Sequence, residues 1–154
     1  MKKKYILQIL LGSPRVYSGL DHLMVETTTL ATEVGCVNVC VYTDTMEYMP
    51  QLQKDIEAAG GVVELLRTSN LLRDIWTLYK KYRPVVVDTH FVNKVKLWTC
   101  VLSLLFGAKH YTHMHSLLGD DIQEYTEKKG YVKRILLGMY YWVLTNLGQR
   151  VFCI

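Results

Sequence analysis

Runs of apolar and β-branched residues recur along this chain, each far enough from the next to admit a single helix between them. Residues 5–11, 37–43, 62–66, 85–89 and 109–113 read as buried strands, and 150–154 as a last one. Between them lie helical segments at 21–33, which stops at Gly35, and at 50–59, with Pro50 in its first turn and Gly60-Gly61 just past its end. Further helices are expected over about 70–82, over about 93–106 with Gly107 closing it, and over roughly 131–146. Near-continuous apolar strands joined by single helices belong to a parallel sheet covered on both faces. The expected fold is therefore α/β: a Rossmann-like parallel sheet of about six strands in the order 3-2-1-4-5-6, with helices on both sides. At 154 residues and 50% apolar content the chain is the size of one domain. Its last expected strand ends at Ile154 with no helix to cover it, so the chain reads as cut.

Charge excludes some partners. The formal net charge of +4 is mild, and the cations gather in three separate places, 2–4, 80–83 and 128–134, rather than in one stripe, so nucleic acid is not an expected partner. Cys36, Cys40, Cys100 and Cys153 form no CxxC pair and sit in apolar segments, which suits a reducing, cytoplasmic setting. The opening MKKKYILQILLGSP has the basic start of a signal peptide, but its apolar run is short and contains Gln8, so it reads as a first buried strand. No apolar stretch reaches the ~18 to 20 residues that span a bilayer. The segment 128–150 is basic at both ends and aromatic between, which suits a helix packed on the sheet or, in part, one at an anionic membrane surface.

In open parallel sheets ligands lie beyond the carboxyl ends of the strands, near the point where strand order reverses. Residues 12–21, 89–93 and 113–121 converge there. The first of these, GSPRVYSGLD, offers glycines, Arg15 and a helix N-terminus that favours an anion, but it is neither GxGxxG nor a P-loop. The third contains KHYTHMHS, where three of the five histidines fall close together. On an extended chain His113 and His115 share a face and His110 points the other way. With His90 on the neighbouring strand, His113 and His115 would make a plausible metal-ligand set, which keeps a metal-dependent hydrolase open as an alternative. A non-catalytic membrane-surface or partner-binding module is the other.

Several segments resemble the N-terminal half of the GT-B glycosyltransferases, in particular the retaining group called family 4. SGLDHLMVETTTLATEVGCVNVCVYT is similar to that family's first loop, helix and second strand, RPVVVDTHF to its fourth strand, and LLFGAKHYTHMHS to its helix, glycine and fifth strand. The resemblance implies transfer of a hexosyl unit, with retention, from a UDP- or GDP-linked sugar to a saccharide or lipid-linked acceptor. It implies polysaccharide or cell-surface glycan synthesis in the cytoplasm, at the inner face of the membrane, with no metal and no cofactor beyond the co-substrate. It makes residues 1–154 the acceptor-side domain and places most donor contacts on a C-terminal domain that this sequence does not contain. By position His115 matches the family's histidine that faces the transferred sugar, and Gly19 the second glycine of the loop near the donor diphosphate. Arg15, Ser18, His90, Asn93 and His113 are the remaining substrate-facing candidates. Ser18 replaces the usual first glycine, and Asp88 stands where the family often has histidine.

Overall fold

The computed structural model describes residues 3–10, 19–43, 50–90, 95–114, 135, 139 and 150–153. Six strands form one sheet: β1 (Lys4–Ile9), β2 (Cys36–Thr43), β3 (Val62–Leu66), β4 (Val86–His90), β5 (Lys109–Met114) and β6 (Arg150–Cys153). Their order is β3-β2-β1-β4-β5-β6 with every pair parallel, as the alternation of strand and helix requires. The helices are α1 (Gly19–Glu33), α2 (Pro50–Ala58), α3 (Leu71–Tyr82), entered through a 3₁₀ turn at Thr68–Asn70, and α4 (Lys96–Phe106). The helix expected over 131–146 lies outside the described residues except for Ile135 and Met139, which are helical and exposed. No described helix is long and apolar enough to cross a membrane.

The two faces of the sheet carry separate cores, because successive side chains on a strand leave by opposite faces. Leu7, Ile9, Val39, Val41 and Val87 pack with Ile75, Leu78, Tyr79 and Leu102 under α3 and α4. Leu10, Cys40 and Tyr42 pack with Met24, Leu52 and Ile56 under α1 and α2. Gln8 and Asn38 also point to that second face, and their burial is made tolerable by bonding to each other. Asn38 Nδ2 donates to Gln8 Oε1 at 2.6 Å and to Thr28 Oγ1 at 2.8 Å. Desolvation pushes the neighbouring Cys40 thiol up to about 12, so it stays a protonated packing group.

Between α4 and the sheet the contact is unusually polar. The Tyr79 hydroxyl donates to Thr99 O at 2.9 Å and pairs with Ser103 Oγ at 2.8 Å, tying α3 to α4. His110, on the α4 side of β5, lies 3.2 Å from both Thr99 Oγ1 and Cys100 Sγ and 3.4 Å from Thr89 Oγ1. It is a structural histidine held by side chains. Gly107 ends α4 in the left-handed region at φ 69°, where its amide and that of Ala108 cap the last turn.

Two outcomes test this packing. A Cβ built at Gly61 would lie 2.6 Å from Thr28 Cγ2 and 3.1 Å from Ile56 O, so Gly61→Ala should destabilise by about 1–3 kcal/mol, read as a lower urea midpoint at unchanged slope. Burial lowers the His110 pKa from 6.5 to about 4, so the unfolded chain takes up the proton first. The stability this histidine contributes should be complete above pH ~6.5 and fade as pH falls towards ~4, a loss of about 3 kcal/mol that a His110→Asn variant should not show in urea titrations across that range.

Candidate functional site

Strand order reverses between β1 and β4, so the crevice beyond their carboxyl ends is where this architecture binds ligands. β4 and β5 pair in register with His90 opposite His113. Asp88, two residues earlier, projects to the same face, away from α4. The three side chains consequently meet. Asp88 Oδ2 lies 3.3 Å from His90 Nε2, Asp88 Oδ1 lies 3.8 Å from His113 Nε2, and the imidazole rings stand edge to face with centroids 4.7 Å apart. One ligand atom from each residue falls within 4.8 Å of the other two, a spacing that could hold a metal ion.

The electrostatics of the cluster involve a fourth residue. Lys96, in the first turn of α4, is fully buried, and its Nζ donates to His113 O at 3.1 Å. A cation at a helix N-terminus is placed against the macrodipole, and desolvation lowers its pKa to about 8 although the Asp88 charge opposes the shift. At neutral pH the lysine still carries its proton, held on the His113 carbonyl. Burial lowers the His113 pKa below its ordinary value, with Asp88 again opposing, so its imidazole is neutral at pH 7. Asp88 Oδ1 is buried and accepts no hydrogen bond from the described residues. The cluster can thus accept a hydrogen bond from a ligand hydroxyl at Asp88 and exchange hydrogen bonds at two imidazoles.

Of the residues singled out in the sequence, His90 and His113 are brought together. Gly19 begins α1, and a Cβ there would meet nothing within 4 Å among the described residues. Asp21, fully buried in the first turn of α1, places a carboxyl group at the helix end expected to attract an anion. Arg15, Ser18, Asn93 and His115 lie outside the described residues. Of the metal-ligand set suggested from sequence, His90 and His113 do meet, with Asp88 beside them, and His115 falls outside the described residues. Lys96 escaped notice because lysine on a helix is ordinarily solvated, yet Lys96, Thr99, Cys100 and Ser103 follow the i, i+3, i+4, i+7 spacing of a buried face.

No protein-family model matches the chain, and no curated protein matches it in sequence. Among solved structures it is similar to the spinosyn rhamnosyltransferase SpnG complexed with thymidine diphosphate, with 16% identity and a TM-score of 0.46. The match covers 71% of this chain and 34% of that one, so the chain spans about a third of the matched structure.

Proposed function

We propose that this chain is the acceptor-side domain of a GT-B glycosyltransferase that transfers a hexosyl unit, with retention, from a nucleotide-sugar to a saccharide or lipid-linked acceptor in surface glycan synthesis. The observation that carries the reading is the Asp88, His90 and His113 cluster at the carboxyl ends of β4 and β5, beside the strand-order reversal. Sugars present hydroxyl groups, and a carboxyl group with a buried acceptor oxygen next to two imidazoles is matched to them. The resemblance in sequence supports the remainder of the assignment. In it, Asp88 takes a hydrogen bond from an acceptor hydroxyl, His90 and His113 hold that group in line, and His115 faces the transferred sugar. Gly19 borders the donor diphosphate, Arg15, Ser18 and Asn93 face the substrates, and the main diphosphate ligands belong to a second domain. Catalysis then rests on positioning and electrostatics, without metal or cofactor.

A second reading, a metal-dependent hydrolase, draws on the spacing of the same three side chains. The buried ammonium of Lys96 weighs against it, because a cation close enough to feel Asp88 would repel a metal ion bound there. Elemental analysis of purified protein separates the two: about one zinc, manganese or iron per chain, lost in His90→Ala, would establish the hydrolase.

The transferase reading makes quantitative demands on the enzyme that contains this chain together with its donor domain. His115→Ala should lower turnover ~30- to 1000-fold with donor affinity nearly unchanged, since the lost interaction belongs to the transition state. Asp88→Asn should raise the acceptor KM more than the donor KM. His113→Ala should lower the melting temperature more than the rate. Residues 1–154 alone should bind UDP- or GDP-sugars no better than millimolar and transfer nothing; near-normal turnover in His115→Ala, or tight donor binding by this chain alone, would remove the assignment.

A further inference from the structure

The pole of the sheet opposite the crevice carries a basic groove. Lys3, Lys4 and Tyr5, at the start of β1, meet Lys80, Lys81, Tyr82 and Arg83, at the end of α3, around an opening of about 700 Å³. Two of the three basic segments in the sequence are thereby joined, because β1 is the strand against which the chain leaving α3 begins to pair: Val85 N donates to Tyr5 O at 2.9 Å. The five cations of the groove outnumber the net charge of the whole chain, +4. All five are exposed, and Lys81 is bound by the Glu64 carboxylate at 2.6 Å. Lys80 and Lys81 suit the carboxyl end of α3, where the macrodipole favours cations, but Lys3 and Lys4 lie at the start of a strand, where no such dipole explains them.

We propose that this groove docks the protein on an anionic membrane surface. Four of its five cations are lysines, hydrated point charges on flexible stems rather than the planar forks that clamp a single phosphate. Such an array responds to the diffuse field of many headgroups. Between the cations sit Tyr5 and Tyr82, half-buried and packed together at 5.1 Å, with Val85 beside them 41% exposed. Amphipathic rings at the boundary between an apolar body and a charged rim are the side chains favoured at bilayer interfaces. The same rings are poorly placed to stack nucleic-acid bases, since Tyr5 and Tyr82 cover each other at 58° and the Lys81 ammonium lies 4.8 Å over Tyr82. Docking by this pole leaves the crevice pointing into solvent, about one strand length, ~20 Å, further from the bilayer. On the function proposed above, the acceptor would be a glycan end that stands clear of the membrane rather than the sugar next to the lipid phosphate.

The test uses flotation with phosphatidylcholine vesicles, with and without about 30% phosphatidylglycerol, over a range of salt. Binding should require the anionic lipid and weaken as salt rises. Lys3→Gln/Lys4→Gln/Arg83→Asn, which removes three cations with no carboxylate partner among the described residues, should bind about 100-fold more weakly, ~fivefold per charge, with an unchanged melting temperature. Neutralising Lys128, Lys129, Lys133 and Arg134 instead should leave most of the binding intact. Equal binding to uncharged vesicles, an unaffected triple variant, or loss of binding in the 128–134 variant instead would overturn the proposal. So would tighter, groove-dependent binding of oligothymidylate than of vesicles, which would make the groove a nucleic-acid site. Because vesicle binding is read without turnover, its failure leaves the transferase assignment standing, and the reverse holds as well.

Discussion

The pairing of β1 with β4 is the contact on which both ends of the molecule depend. It joins the two halves of the sheet at residues Ile6 to Ile9 and Val86 to Thr89, and it makes β1 a strand covered on both faces. Burial on both sides is why its sequence is apolar almost throughout and why Gln8 has to be bonded to Asn38. At the carboxyl end the pairing opens the crevice beside His90; at the amino end it brings Lys3 and Lys4 to Lys80 and Arg83. One backbone register therefore sets a candidate site and a candidate docking surface at opposite poles, about a strand length apart.

The second organising feature is the polar seam between α4 and β5. Tyr79, Thr99, Ser103, Cys100, Thr89 and His110 form a connected set of side-chain contacts where an apolar interface would have sufficed for packing. Such sets constrain geometry more than they add stability, since each member must find its partner or bear a desolvation cost. The seam positions α4 so that Lys96 reaches the carbonyl of His113, and that bond ties the end of β5 to α4. The arrangement of the crevice is thus secured from the side of the sheet that faces away from it.

Periodicity made the architecture legible before any coordinates. The expected strands and helices over residues 5–113 agree with those observed to within a few residues, and the strand order follows from the alternation with the usual crossovers. The candidate site was legible only in part. His90 and His113 could be placed at the ends of adjacent strands, because strand ends are countable from sequence. That Asp88 joins them depends on the β4–β5 register, in which His90 lies opposite His113. Register between strands separated by a helix leaves no local trace in the chain.

What the sequence determined by itself is therefore the local and periodic part: which segments are strands, which are helices, and that the sheet is parallel and covered on both faces. These follow from side-chain period and burial, properties of neighbouring residues. Only the tertiary structure decided that Lys96 is a buried cation rather than a solvated one, that His110 is structural while His113 faces the crevice, and that two distant basic segments form one groove. Each depends on which elements lie side by side, and a residue's charge state and solvation are set by neighbours in space, which for Lys96, His110 and Lys4 come from other elements of the fold.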